Sequence, residues 1–280
     1  MQCGICGDGS SAVLEQKSLG LYRCGNCGHV FKEISETDRE RYGDAYFSDT
    51  HKNWFNNPDY ALFDFIYNEI LKIKGNGKIK ILDIGCGNGN FLKFLKGKDG
   101  RFELYGVDYN ENSESGISFI KSDILKYETP LRFDIICNLT VIEHLDSPQI
   151  FVSRLKGLLS SGGIVFTVTD NDDSLIYKIA RVLKKINVNS AYDRLYDTHH
   201  MHCFSRNSLR RLFEMNGFEI LLHKNHNHPV RAIDYPKANA FVTFIYKVAA
   251  HSIFFVSGLL DMGILQIIVC RDKAMERASA

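Results

Sequence analysis

The chain has 280 residues, 45% of them hydrophobic, and a formal net charge of +1. That length suits one α/β domain with a small appendage, and the apolar share is enough to bury a sizeable core. The balanced charge removes any bulk electrostatic case for a nucleic-acid partner, and no repeat or low-complexity tract is visible.

The opening stretch, MQCGICGDGS, has no basic segment followed by an apolar run, so it does not read as a signal peptide and a cytoplasmic location is expected. Cys3, Cys6, Cys24 and Cys27 form two copies of C-x-x-C-G, with 17 residues between Cys6 and Cys24. Four thiolates can close a tetrahedral zinc shell, and the glycine after each second cysteine permits a tight knuckle. Two disulfides are the alternative, which a cytosolic chain disfavours. A four-thiolate shell has no open position, so the zinc expected here is structural. The other four cysteines, Cys86, Cys137, Cys203 and Cys270, are scattered and read as reduced, inert thiols. Residues 1–33 are therefore taken as a zinc ribbon.

Residues 34–76 read as a linker and N-terminal helices. Tyr42, Tyr46, Phe47 and Trp54 either cover a cleft or simply pack, and Tyr60 to Ile73 has helical apolar spacing. From Lys78 to Ile84 a short β-branched run reads as a buried strand. It ends in Asp83-x-Gly85-x-Gly87-x-Gly89, after which helical spacing resumes. Strand, bare glycine turn and helix make a cradle that a ligand can approach closely. A P-loop would need Lys and Ser or Thr where Phe91 and Leu92 stand, and a dinucleotide fingerprint would need glycine at Asn90.

A second strand, FELYGVDYN, ends in Asp108, placed to accept ribose hydroxyls; NAD proteins use the same device. ISFIKSDILKYE, 117–128, reads as a third strand ending in Asp123, a fourth runs into VIEHL, and LSSGGIVFTVTD supplies a glycine turn and a fifth. A long excursion follows over 171–204, of the length used for lids and binding loops. It holds a helix expected over Ser174 to Ile186 and the run THHMHCFS. The next helix has a Ser205 cap and a Gly217 stop, with a sixth strand from Phe218. ILQIIVCRD reads as the last strand.

The insertion before that strand carries a nearly all-apolar stretch, 238–260. Lys247 and His251 lie four apart within it, and a spanning helix would have to bury both near its middle. Burial in a core or a dimer interface is the leading expectation, with peripheral membrane contact second.

The ordered motifs, from the acid and three glycines to VIEHL, resemble class I S-adenosylmethionine (SAM) methyltransferases. The run H-M-H-C-F-S and the helix after it are similar to a segment of a subgroup that often carries an N-terminal zinc ribbon and a Tyr-Phe pair like Tyr46-Phe47. The resemblance covers most of the chain except about 171–198 and 223–262. It implies an α/β, Rossmann-like fold with a seven-stranded sheet ending in an antiparallel hairpin, the SAM-binding domain spanning 77–280 with insertions about 171–204 and 223–262. It implies SAM contacts at Asp83, Gly85, Gly87, Gly89, Asp108, Tyr109, Asp123, Ile124 and Asn138. Members of that subgroup often modify sugars or surface glycans, so a sugar, nucleotide-sugar or glycan acceptor is expected.

Methyl transfer to a hydroxyl needs a base, and a neutral imidazole serves near pH 7. His200 and His202 are the first candidates, with His144 of VIEHL next. In an extended segment the alternate pair would face one side, with His199 and Met201 on the other. Two other function classes compete. An RNA methyltransferase would grip nucleic acid with the ribbon, but residues 1–33 hold Lys17, Arg23 and Lys32 against Asp8, Glu15 and Glu33, which is not a basic surface. A non-catalytic binding module would have no need of the intact glycine loop and its carboxylates.

Overall fold

The structure is a computed structural model that describes residues 2–9, 12–16, 20–32, 53, 56–75, 77–196, 200–233, 235 and 239–276. Lys17, Glu33, Tyr42, Tyr46, Phe47, Trp54 and His199 lie outside the described residues.

A seven-stranded sheet forms the centre. Its strands are β4 (Ile79–Ile84), β5 (Phe102–Asp108), β6 (Ile117–Lys121), β7 (Phe133–Leu139), β8 (Leu159–Asp170), β10 (Phe218–His226) and β11 (Leu265–Asp272). Their order is β10-β11-β8-β7-β4-β5-β6. The five strands from β8 to β6 are parallel, and β11 runs antiparallel to both β8 and β10. This is the expected sheet with an antiparallel last hairpin. The chain order reverses between β4 and β7, which opens a crevice at the carboxyl ends of the strands.

Both faces of the sheet are covered, which is why its central strands β4, β7, β8 and β11 are buried along most of their length. On one face α1 (Tyr60–Lys74) and α2 (Asn90–Lys98) bury Ile66, Ile70, Leu92 and Leu95 against Ile81, Ile135 and Phe166. On the other, α3 (Pro148–Leu158) and α6 (Arg206–Met215) bury Phe151, Leu155, Leu209 and Phe213 against Leu82, Ile136 and Phe218. Asp59 caps α1 by accepting from Leu62 N at 3.0 Å, and Ser205 caps α6 by accepting from Ser208 N at 3.0 Å.

The cysteine-bearing segment is not a separate lobe. Strands β1 (Ala12–Gln16), β2 (Leu21–Cys24) and β3 (Val30–Lys32) form an antiparallel sheet that β9 (His202–Cys203) joins as a fourth strand. Cys3, Ile5, Cys24, Cys27 and Phe31 share a hydrophobic cluster with the main sheet. The excursion supplies α4 (Leu175–Lys185) and α5 (Ser190–Leu195), and a polar network fastens the ribbon to them. Arg23 reaches Glu15 at 2.7 Å and the fully buried Asp172 at 2.6 Å, and Arg181 meets the same carboxylate at 3.0 Å. Tyr196 also donates to Asp172.

The apolar stretch of the insertion forms α7 (Ala240–Leu259). The expectation of burial within the chain is corrected. Only Phe254 and Ser257 of this helix are buried, while Phe241, Phe255 and Leu259 are 70–72% exposed. Both faces of the sheet are already taken, so among the described residues no second layer lies over this helix.

Candidate active site

A cavity of about 990 Å³ opens at the carboxyl ends of β4, β5, β7 and β8. One end is lined by Asp83, Gly85, Gly87, Asp108, Tyr109, Asp123 and Ile124; the other by Glu143, His144, Asp170, His200, Met201 and His228.

The first end is built from backbone. Gly85, Gly87 and Gly89 have φ of 67°, 53° and 75°, a region costly for other residues. A Cβ on Gly85 would stand 2.4 Å from Val141 Cγ2, so the glycine also lets the β7 loop close against the turn. Asp108 accepts from Gly87 N at 2.8 Å and from Asn110 N at 2.9 Å, which fixes its carboxylate at the tip of β5. Asp83 is 2% exposed, and its Oδ1 has no hydrogen-bond partner. Burial, with the Asp108 charge behind it, pushes the Asp83 carboxyl well above the usual range. An orphaned carboxylate oxygen beside a bare glycine turn fits a cofactor bearing a cationic amino group. Burial, and then Asp123, pushes the Tyr109 phenol up to about 12.

The second end is a cluster of proton-handling groups. His200 Nδ1 lies 3.1 Å from Asp170 Oδ2, at the end of β8. Asp170 also accepts from Tyr177 OH at 3.2 Å. Burial works against the Asp170 charge, but His200 outweighs it and holds the carboxyl below its ordinary value. His144 meets His200 edge-on, with ring centroids 4.8 Å apart. Glu143 is 1% exposed; its Oε2 accepts from Thr169 at 2.9 Å, and its Oε1 has no partner. Burial, then the Asp170 charge, raises the Glu143 carboxyl to about 7. Glu143, His144 and His200 bring ligand atoms within 4.8 Å of one another, a spacing a small cation can bridge.

A methyltransferase domain family matches residues 53–223. The chain belongs to that family. Similar proteins include the mitochondrial ubiquinone biosynthesis O-methyltransferase of Dictyostelium discoideum, 28% identical over 35% of this chain and 37% of that protein. The protein of the same name from Paraburkholderia phymatum is 31% identical over 36% of this chain and 48% of its own length. The chain thus spans less than half of the curated relatives it matches. Among solved structures, a SAM-dependent methyltransferase from Archaeoglobus fulgidus superposes with a TM-score of 0.52 at 20% identity, covering 81% of this chain and 99% of that one. The 1,6-didemethyltoxoflavin N1-methyltransferase of Burkholderia thailandensis, solved with S-adenosylhomocysteine, superposes at 0.55 with 12% identity, covering 94% and 99%. The methyltransferase fold is therefore that of class I.

Within this methyltransferase-family domain the expected residues divide. Asp83, Gly85, Gly87, Asp108, Tyr109, Asp123, Ile124, His144 and His200 all line the cavity. Three do not. Gly89 sits behind the loop as the cap of α2. Asn138 is fully buried and donates to Thr167 Oγ1 at 2.8 Å and Phe166 O at 3.2 Å, so it ties β7 to β8. His202 points into the ribbon, where its Nδ1 lies 3.0 Å from His29 Nε2 and its ring is 5.1 Å from that ring. The facing rule failed because it holds only inside a strand. β9 begins at His202, paired with Phe31, whereas Met201 donates to Glu143 O and lines the cavity beside His200.

Sequence reasoning left out Glu143, Asp170 and His228. Glu143 was visible as the acid of VIEHL, and Asp170 as the residue ending the fifth strand, where ligands of such sheets bind. The four N-terminal cysteines do converge. Cys3 and Cys27 have sulfurs 3.7 Å apart and Cys6 and Cys24 3.5 Å, close to the edge of about 3.8 Å that a tetrahedral zinc–thiolate shell requires.

Proposed function

We propose that this methyltransferase methylates a hydroxyl of a sugar, nucleotide-sugar or glycan intermediate, with His200 as general base and a structural zinc held by Cys3, Cys6, Cys24 and Cys27. Bound SAM supplies an electrophilic methyl on a sulfonium. Asp83 and the glycine turn hold its amino-acid end, Asp108 its ribose, and Asp123 and Ile124 its ring.

The observation that carries the acceptor reading is the His200–Asp170 pair at the far end of the same cavity. A carboxylate 3.1 Å from Nδ1 draws a proton to that nitrogen electrostatically, although the two are not aligned as a hydrogen bond, and in the neutral ring that proton on Nδ1 leaves Nε2 able to take one from a hydroxyl. His144, Glu143 and His228 add hydrogen-bonding groups around it, as a polyhydroxylated acceptor requires. The curated relatives are named as O-methyltransferases of ubiquinone biosynthesis, which favours oxygen as the acceptor atom. They also give a second acceptor class, a hydroxyl on a quinone-type ring, for which Leu62, Phe63 and Phe91 offer an apolar wall.

The test is S-adenosylhomocysteine release from a panel of nucleotide-sugars and of ring hydroxyls. A nucleotide-sugar should turn over, and His200→Ala should lower turnover by about 10² to 10⁴ with cofactor affinity unchanged. His202→Ala should leave the chemical step far less affected. Turnover of ring hydroxyls alone would replace the sugar reading with the second, and a normal rate in His200→Ala would move the base to His144.

A further inference from the structure

Helix α7 is held at its C-terminal half and left open elsewhere. Asn227 Nδ2 donates to Phe254 O at 3.0 Å and to Ser257 Oγ at 2.8 Å, and Met262 N donates to Ser257 O at 2.7 Å. Phe241, Phe244, Ile245, Tyr246, Val248, Phe255, Val256 and Leu259 are all at least 41% exposed. At 100° per residue these side chains sweep about 200° of the helix circumference. Thr243, Lys247 and His251 gather on the remaining arc with the two buried residues, and no acid occurs between Ala240 and Leu259.

That distribution decides between occupants. A helix docking on one protein face needs an apolar stripe of at least about 100°. An arc about twice as wide suits a surrounding that closes over several sides at once. Lys247, which argued against simple burial, stands nearly opposite the middle of the apolar arc, where its charge stays out of the lipid. Helix α7 is long and apolar enough to cross a bilayer, but its C-terminal half is fastened to the protein along Phe254 and Ser257, so lipid cannot surround it there as it would a spanning helix.

We propose that α7 seats its apolar arc in the outer layer of a lipid bilayer. The reading is continuous with the cavity. The 3₁₀ turn Val230–Ala232 lies against α7, His228 packs edge-on to Phe254 with centroids 5.2 Å apart, and His228, Pro229 and Ala232 line the cavity. Phe254 belongs to the arc opposite the exposed apolar one, so a membrane-seated α7 would stand between the lipid and this wall of the cavity.

The experiment is flotation of the full chain with phosphatidylcholine vesicles containing phosphatidylglycerol, without cofactor or acceptor, so its outcome is independent of the acceptor reading. The chain should float with the vesicles. Joint Phe241→Asp, Phe244→Asp and Phe255→Asp should lower the partition coefficient at least about tenfold while the melting temperature and S-adenosylhomocysteine affinity hold. Phe244→Trp should show blue-shifted emission on vesicles and quenching by brominated lipid. A wild-type chain that stays in solution overturns the proposal. So does a stable dimer in light scattering that the aspartates split while no vesicle binding occurs, which would make a second copy the occupant.

Discussion

Asp83 shows how a single side chain can be costly to the empty protein and useful to the occupied one. Its oxygen is buried without a partner, and its carboxyl is pushed well above the usual value by burial and by Asp108. A carboxyl raised in the fold binds its proton more tightly folded than unfolded, so its charge subtracts stability progressively as pH climbs past the unfolded value of 3.8. Asp83→Asn removes that charge at constant shape. The ligand-free protein should therefore melt higher at pH 8, with the gain shrinking towards pH 4, while S-adenosylhomocysteine binds more weakly in calorimetry. A merely structural Asp83 would lose stability on the same change. The acid and three glycines were legible from the residue pattern alone because their function is to have no side chains at fixed spacing. His200 and His202 were not separable, because which way each faces depends on where β9 starts, and that is set by pairing with Phe31 some 170 residues away in the chain.

Elements with a strong local pattern were legible as well. The parallel strands, α1, α4 and α6 were expected within a few residues, since burial on both sheet faces and caps such as Asp59, Ser174 and Ser205 are written locally. The short α3 and α5 were not expected, and the two-residue β9 has no periodicity to detect. The helix in 238–260 was expected but not its placement, because it is apolar enough to resemble a core helix, yet the fold has no face left for it. The attachment of the ribbon to the excursion was also hidden, because it rests on Arg23, Arg181, Tyr196 and Asp172 meeting from four segments. Asp172→Ala would leave two partly buried guanidinium groups without their shared carboxylate. Breaking such a cluster from one side costs about 3 kcal/mol, tempered here because both arginine side chains are 23% exposed. A drop of about 2 kcal/mol in urea unfolding is expected, with amide exchange in β1–β3 rising before that in β4. An effect below about 0.5 kcal/mol, in the range of an ordinary surface site, would mean the ribbon is held by its apolar contacts alone.

At the scale of the whole molecule, the ribbon and the acceptor end of the cavity are one mechanical unit. Cys24 and Cys27 flank the knuckle that leads into β3; β3 pairs with β9; and Lys32 N donates to Met201 O at 3.0 Å. Met201 in turn donates to Glu143 O at 2.9 Å, and His200 precedes it. The cofactor end stands on β4 and β5 at the other side of the switch point. Removing the proposed zinc, or Cys24→Ser, should therefore act unevenly. Four thiolates without a metal no longer fix the knuckle, so β3 and β9 should loosen and His200 should lose its alignment with Asp170. Turnover should fall by at least about tenfold, since misplacing a base by an ångström costs catalysis heavily, while S-adenosylhomocysteine affinity stays within about twofold. Hydrogen exchange should rise across 200–205 and stay low in β4 and β7. Elemental analysis of the untreated protein should give one zinc per chain. If β4 and β7 instead exchange as fast as β9 once the metal is gone, then Cys3, Cys24 and Cys27 matter chiefly through the hydrophobic cluster they share with Phe151 and Leu209, and the ribbon supports the entire sheet instead of positioning the base.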